Sequence, residues 1–220
     1  MGILSEHFVA AFTGFVSGFL VSIPVGPINV SIVNEGARRG FGWALLIGLG
    51  ATAMEVVYCA IAFAGFSHLF ELRWVRATMD LASFFVMLFL GIKYLLARSL
   101  PATTKSVERI EHRLNPHTAF WTGFVRCLGN PGVLLFWITI SATFVSHEWV
   151  VETRASKGAC LTGVALGCFG WFALLSFLVS RGHGRFSTGT LVRMSHVSGA
   201  SLVLVAMFIG VRLVRLLAHL

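Results

Sequence analysis

Six long apolar runs follow one another along the chain, and they limit its fold more than any other feature. They lie at residues 9–33, 41–66, 79–97, 119–145, 157–180 and 198–217. A helix needs about 20 mainly apolar residues to cross the hydrocarbon core of a bilayer, and each run is close to that length or longer. The sequence therefore predicts an all-α membrane protein with six transmembrane helices.

Charge is scarce along the chain, which favours the same class of protein. Only 12% of the residues are charged and 56% are hydrophobic, with a mean hydropathy of +0.84, whereas a soluble domain carries about 25% charged residues. This composition argues against a cytosolic enzyme, a nucleic-acid-binding module and a secreted disulfide scaffold. The formal net charge of +8 does not predict a nucleic-acid partner, because the basic residues lie mostly in loops, where they set the orientation of membrane spans.

The distribution of Lys and Arg predicts how the chain is oriented in the bilayer. If the N-terminus is outside, the loops that face the cytoplasm carry the larger share of these residues, for example at Arg38, Arg109 and Arg181. Basic residues are enriched in cytoplasmic loops, so we expect both termini on the non-cytoplasmic side. Lys93 and Arg212 lie close to span ends, where we expect their long side chains to reach back to the interface.

Two short motifs recur in the same order in the two halves of the chain. The sequence FTGFV at residues 12–16 is matched by WTGFV at 121–125. The pair AS at 82–83 followed by GIK at 91–93 is matched by AS at 200–201 followed by GVR at 210–212, with one additional residue between the two parts. Each half holds three apolar runs, and because three is odd the halves must cross the membrane in opposite directions. We therefore expect two inverted three-helix repeats, a recurring architecture of secondary transporters.

The longest polar connection separates the two halves. We expect the first repeat over residues 1–97, a cytoplasmic linker over 98–118 and the second repeat over 119–220. Val107, Ile110 and Leu114 have helical spacing within the linker, which is typical of a short amphipathic helix on the membrane surface. A mobile charged linker is the alternative at this point.

Small residues recur four positions apart at Gly14/Gly18 and at Gly163/Gly167. Such pairs allow helices to approach closely. Packing within one chain explains them, and a homo-oligomer stays open.

Proline and glycine interrupt the first run of each half. Pro24, Gly26 and Pro27 fall within four residues, and proline lacks an amide hydrogen and clashes with the carbonyl four residues back. In the fourth run, Asn130 precedes Pro131. We expect both helices to unwind there, and matched breaks of this kind indicate the binding site of a transporter. The candidate substrate-binding residues are Ser22, Pro24, Gly26, Pro27, Asn29, Asn130, Pro131 and Gly132.

Two charged residues lie deep within the apolar runs. Glu55 falls near the centre of the second run, where a carboxylate is costly and usually faces a cavity or marks an ion pathway. Burial favours the neutral form of such a group, so Glu55 is the candidate for proton coupling. Arg126 lies one turn before Asn130, and it could pair with Glu55, bind an anionic group or reach back to the interface.

Several of these motifs resemble those of the LysE/RhtB family of amino-acid exporters. In the first half they are PVGPIN at residues 24–29, EGARRG at 35–40 and GLG at 48–50, and in the second half TGF at 122–124 and NPGVLLFW at 130–137. The chain departs from the family pattern by an inserted Val25, by Gly132 in place of a common lysine, and by the charge of Arg126. The resemblance covers essentially the whole chain.

The resemblance implies a multi-pass protein of the bacterial inner membrane that exports amino acids or related small metabolites, with proton exchange as the driving force. Its partners would be the lipid bilayer, the small-molecule substrate and protons, and no cofactor is implied. The substrate carboxylate would lie at the helix N-termini after Pro27 and Pro131, since exposed amides and the helix dipole favour anions. The ammonium group would donate hydrogen bonds to Asn29, Asn130 and Glu55 and to the carbonyls that the prolines free. Those carbonyls belong to Leu20, Ile23 and Cys127.

Other functions fit the sequence less well than amino-acid export. A divalent-cation exporter of the same superfamily needs several oxygen ligands, and Glu55 is a lone deep acid. A membrane thiol-redox carrier needs cysteines beside the breaks, and of Cys59, Cys127, Cys160 and Cys168 only Cys127 lies near one. The pattern shows no nucleophilic triad, phosphate-binding loop or metal-ligand spacing, so an enzyme is not predicted. A scaffolding protein would not need two costly helix breaks.

Overall fold

The computed structural model describes residues 3–23, 26–66, 73–96, 109–110, 113–114, 118–181 and 188–218, and the described elements are helical. The first half contains α1 (Ile3–Ser22), α2 (Pro27–Arg39), α3 (Phe41–Phe66) and α4 (Arg73–Leu95). The second half contains α5 (Ala119–Leu128), α6 (Pro131–Ser146), α7 (Arg154–Arg181) and α8 (Thr188–Ala218). The amphipathic helix expected within 98–118 falls largely outside the described residues.

Length and apolar content single out two candidate membrane spans among the described helices. They are Phe41–Ala64 in α3 and all of α7, Arg154–Arg181. α5 and α6 qualify as a third span if they are counted together, although they are bent by 68° relative to each other. The fold is therefore all-helical with two or three candidate spans.

Each of the two runs that the sequence predicts to be interrupted is divided into two helices. α1 ends at Ser22 and α2 begins at Pro27. α5 ends at Leu128 and α6 begins at Pro131. Proline is well tolerated at the first helical position, because the amide hydrogen that it lacks would have no intrahelical acceptor there. The same residue type therefore ends one helix and starts the next.

Several helices extend beyond the apolar runs that predict them. α2 continues to Arg39, past the expected end at residue 33, and α8 begins at Thr188, before the expected start at residue 198. The apolar run marks only the part of a helix that suits hydrocarbon, whereas backbone hydrogen bonding continues into polar sequence as long as no breaker intervenes. This explains why hydropathy underestimates helix length.

α3 and α7 pack against each other, and each also packs against a half-helix of the other half. α1 lies against α7, where a Cβ at Gly14 would overlap the backbone carbonyl of Cys160, and one at Gly163 would overlap that of Ala11. α5 lies against α3, where a Cβ at Gly123 would overlap the carbonyl of Ile47. In the same interface, a Cβ at Gly50 would overlap the carbonyl of Phe120. Glycine is needed at all four positions, because the helix backbones touch.

α4 and α8 form the third close pair. A Cβ at Gly91 of α4 would meet the Val203 side chain of α8 at 2.7 Å. In the same interface, a Cβ at Gly210 of α8 would meet the Phe84 ring of α4 at 2.9 Å. Each helix thus places a glycine against a large side chain of its neighbour.

The outer surface is rich in large apolar side chains, which are exposed on most helices. A soluble monomer rarely exposes large contiguous apolar patches, so this surface suits contact with lipid. Examples are Phe8 and Phe12 of α1, Phe85 of α4 and Leu204, Phe208 and Val214 of α8.

Candidate substrate site

The first helix break is closed by hydrogen bonds from within the protein. Asn29 Nδ2 donates to the carbonyl oxygen of Ser22 at 2.8 Å and to that of Ile23 at 3.4 Å. The carbonyl of Leu20 accepts from the Ile23 amide at 3.4 Å. The carbonyls that the prolines are expected to free therefore have partners. Pro24, one of the predicted site residues, lies outside the described residues.

Asn29 also links the break to α7. Its Oδ1 accepts a hydrogen bond from Trp171 Nε1 at 3.3 Å. The Asn29 side chain is buried, and both ends of its amide group are engaged. Buried polar groups that have hydrogen-bond partners rigidify a site, so Asn29 positions α2 relative to both α1 and α7.

The second break is closed by a different set of groups. Asn130 Oδ1 caps α6 by accepting from the Gly132 amide at 3.2 Å. The backbone N–H of Asn130 donates to the carbonyl of Cys127 at 3.0 Å. Tyr58 of α3 donates from its hydroxyl to the carbonyl of Leu128 at 2.7 Å. The last turn of α5 is thus held by a side chain from another helix.

The N-termini of the two half-helices differ in their caps. α6 is capped by the Asn130 side chain, whereas the N-cap of α2 is Gly26, which has no side chain to serve as a cap. Uncapped helix N-termini attract anions through their amide groups and dipole. Of the two, α2 therefore offers the more open N-terminus to a ligand carboxylate.

Glu55 is buried on α3, with 3% of its surface exposed. Its Oε2 accepts a hydrogen bond from Trp137 Nε1 of α6. Tyr58 follows Glu55 by three residues and holds the end of α5. α3 therefore contacts both pieces of the second interrupted run through two side chains on the same face.

One cavity of about 400 Å³ brings most of the predicted site residues together. This volume lies within the range of small-molecule sites. Pro27 and Pro131 start the two helices whose N-terminal residues border it. The predicted residues that line it are Ser22, Gly26, Asn29, Glu55, Asn130 and Gly132.

The cavity also contains residues that the sequence does not single out. α4 contributes Val86, Leu90 and Lys93, which are spaced four and three residues apart and so share one helix face. Lys93 is expected from its sequence position to point to the interface, yet it lines the same cavity as Glu55. Lys93 shares a helix face with Val86 and Leu90, and this spacing is the signal that could have identified Lys93 as a cavity residue.

Arg126 lies at a separate cavity. Its Nη1 donates to the hydroxyl of Ser31 on α2, which is buried. Both residues line a cavity of about 440 Å³ that also includes Glu35 and Arg38. Arg126 therefore joins α5 to α2, and the cavity that it lines is distinct from the one that contains Glu55.

The four cysteines are free and buried. Cys168 Sγ donates to the carbonyl of Gly18 at 3.3 Å, and Cys59 Sγ lies 4.0 Å from Ser141 Oγ. They behave as small apolar side chains in helix contacts. Within the described part of the chain, no group of three or more His, Cys, Asp or Glu residues could hold a metal ion.

Comparison with known proteins identifies relatives along most of the chain. The family model described as LysE type translocator matches residues 19–213. YcgF of Bacillus subtilis (strain 168), which is named as an amino acid efflux protein, is 25% identical over 195 residues, covering 89% of this chain and 92% of the relative. The arginine exporter proteins ArgO of Shigella flexneri and of Escherichia coli O157:H7 are 26% identical over 194 residues, covering 74% of this chain and 90% of each relative. No solved structure matches the chain.

Proposed function

Because this chain belongs to the LysE type translocator family, we propose that it is a proton-coupled secondary exporter of amino acids in the bacterial inner membrane. The observation that carries the proposal is the cavity between the two helix breaks, which contains the buried carboxylate of Glu55. The relatives named as amino acid exporters favour the same substrate class.

The proposal includes six spans in two inverted repeats, over residues 1–97 and 119–220, joined by a cytoplasmic linker. Reciprocal packing supports it. Gly14 of α1 contacts α7, and Gly123, its counterpart in the repeated motif, contacts α3. The partner helices correspond as well. Gly163 of α7 contacts α1 and lies three residues after Cys160, whose carbonyl Gly14 meets. Gly50 of α3 likewise contacts α5 and lies three residues after Ile47, whose carbonyl Gly123 meets.

The pairing of α4 with α8 supports the same relationship. Gly91 and Gly210 occupy matching positions in the second repeated motif. Gly91 lies against Val203, and Gly210 lies against Phe84. The separation in sequence from Phe84 to Gly91 equals that from Val203 to Gly210, so exchanging the two halves exchanges the two contacts. A pseudo-twofold axis through this interface explains the equality.

Within the cavity, the substrate carboxylate would lie near Gly26, at the uncapped N-terminus of α2, where amide groups and the helix dipole favour an anion. The substrate ammonium group would lie against Glu55. Asn29 and Asn130 act mainly through the backbone that they hold in place, because their side chains hydrogen-bond within the protein. The backbone at the breaks would then bind the substrate carboxylate, and Glu55 would bind its ammonium group.

Coupling follows if the Glu55 carboxylate binds either the substrate ammonium or a proton, but not both. If the site faces outward with substrate bound and turns inward again with a proton bound, each cycle exports one substrate and imports one proton. Alternating access would occur by rocking of one repeat against the other around the cavity. Glu55 is then the single group through which the proton gradient acts on the substrate.

Export itself is tested in cells that lack their own amino-acid exporters. Cells expressing the chain are loaded with labelled amino acids or dipeptides, and efflux is followed after dilution. We expect faster efflux of at least one amino acid than from cells with the empty vector. Efflux at the vector rate for every amino acid, from cells in which the protein is present in the membrane, would contradict the proposal.

The proposed orientation places both termini outside the cytoplasm. Its basis is the excess of Lys and Arg in the loops that would face the cytoplasm. Reporter fusions to Leu220 test it, since alkaline phosphatase is active only outside the cytoplasm. An active fusion is expected, and an inactive one, with a fluorescent cytoplasmic reporter at the same position, would reverse the orientation.

A further inference from the structure

We propose that the substrate is an uncharged amino acid with a large apolar or aromatic side chain, and that arginine is excluded. This inference rests on the proposed function and specifies the substrate class of that site. It is based on the charges and apolar surfaces of the cavity that contains Glu55.

The charges of the cavity balance those of an amino acid backbone. Among the described lining residues, Glu55 is the acidic one and Lys93 the basic one. The first pairs with the α-ammonium group of a substrate, and the second, on α4, acts together with the α2 N-terminus at Gly26 to attract its α-carboxylate. Both charges common to all amino acids are then matched.

The remaining described lining is mainly apolar. Its inner wall is formed by Phe136 and Phe172, which are buried, and by Val86, Val133, Leu90 and Leu202, which are half-buried. Phe85, Phe89 and Leu135 form a more exposed rim. A substrate side chain that extends from the backbone groups therefore contacts hydrocarbon and aromatic rings.

This wall discriminates between side chains by simple physics. Burying an apolar side chain is favourable in proportion to the area removed from water, so leucine and phenylalanine gain more than alanine. Among the described lining residues, a guanidinium group on the same wall would find no acidic partner to replace its lost hydration, and an unpaired buried charge is strongly unfavourable. The substrates of the arginine exporter relatives are therefore not expected to transfer to this chain.

The test is exchange of labelled amino acids in liposomes containing the purified full-length chain. Leucine and phenylalanine should exchange at least about tenfold faster than arginine, whose unpaired charge is disfavoured. Exchange of arginine at a rate equal to or above that of both would overturn the inference and leave the proposed function standing. Exchange of no amino acid above protein-free liposomes would overturn both.

A gain of function makes the test sharper. Val86→Glu places a second acid on the inner wall, and we expect it to raise arginine exchange and lower that of phenylalanine. Asn34→Glu, at an exposed polar position of α2 that does not line the cavity, is the control and should leave the preference unchanged. If Val86→Glu folds, and arginine exchange does not rise, the wall does not set the selectivity.

Ligand-induced stabilisation of the wild-type protein provides a readout that needs no variant. A ligand that binds the folded state raises its melting temperature. Leucine and phenylalanine should raise the Tm in detergent at concentrations at which arginine has no effect. A rise with arginine alone would contradict the inference.

Discussion

Trp137 of α6 donates its indole N–H to the carboxylate of Glu55 on α3, and the two residues lie 82 positions apart in sequence. Both are buried, at 0% and 3% exposure. The contact fixes the one acid of the described cavity lining against the half-helix that follows the second break. This hydrogen bond therefore ties Glu55 of α3 directly to α6.

Removing this donor should affect both stability and coupling. Trp137→Phe keeps an aromatic ring but leaves Glu55 without the indole N–H, and a hydrogen bond to a charged group contributes about 1.5–3 kcal/mol. We expect a lower Tm in detergent and a shifted pH dependence of exchange. Phe144→Leu, at a buried position of α6 that does not line the cavity, is the control for packing alone and should leave the pH profile in place. Identical pH profiles for wild type and Trp137→Phe would show that the indole does not tune Glu55.

Asn29 should be a positioning residue. Asn29→Ala removes the donor to the carbonyls of Ser22 and Ile23 and leaves Trp171 Nε1 without its acceptor. Each buried group that is left unsatisfied costs about 1–3 kcal/mol. We expect a Tm several degrees lower and slower exchange, measured by heating in detergent and by liposome assays. Asn34→Ala, at an exposed position of the same helix, should change neither, and equal Tm values for the two variants would contradict this role.

The contacts of α7 with α1 predict a sharp contrast between two glycines on one helix. A Cβ at Gly163 would overlap the carbonyl of Ala11, whereas one at Gly158 would meet nothing within 4 Å. Overpacking of this kind typically costs about 1–3 kcal/mol. Gly163→Ala should lower the Tm markedly, and Gly158→Ala should leave it unchanged or slightly raised. Equal Tm values would mean that α1 and α7 are not in backbone contact.

Gly50 offers the corresponding comparison in the other half. A Cβ there would overlap the carbonyl of Phe120, and Gly42 of the same helix has open space. If the two halves are related by a pseudo-twofold axis, Gly50→Ala and Gly163→Ala should have similar effects on Tm. A large effect of one with none from the other would argue against equivalent interfaces.

Arg126 should support stability and transport through its hydrogen bond to α2. Arg126→Leu removes the hydrogen bond to Ser31, and loss of a charged bond between two half-helices should reduce both Tm and exchange. Ser31→Ala should reproduce part of the loss, whereas Arg38→Gln, an exposed neighbour at the same cavity, should not. If Arg126→Leu and Arg38→Gln have the same exchange rates, the α2–α5 joint is not required for transport.

The helix breaks and the deep acid were readable in the sequence because each follows from local chemistry. Proline at residues 24, 27 and 131 removes a backbone hydrogen bond when it lies within a helix, and glycine at 26, 129 and 132 lowers helix propensity. A carboxylate in the middle of an apolar run must face something other than lipid. These two rules single out Ser22, Asn29 and Glu55 as candidate site residues without knowledge of helix packing, and the cavity brings the three together.

The partners of these residues could not be predicted in the same way. The contact between Arg126 and Ser31 joins positions 95 apart, and that between Tyr58 and Leu128 joins positions 70 apart. Such contacts depend on how helices pack, and hydropathy does not encode the packing. Lys93 illustrates the limit, since its place near a span end suggests an interfacial side chain and only the orientation of α4 brings it to the cavity.

The central claim, that Glu55 couples export to protons, is tested most directly by pH-gradient-driven exchange in liposomes. The wild-type chain should accumulate its amino acid against a concentration gradient when protons can flow in the opposite direction. Glu55→Gln preserves the shape but cannot exchange a proton, so we expect no response to the gradient, while Glu55→Asp retains one. An unchanged rate and an unchanged proton dependence in Glu55→Gln would contradict the claim.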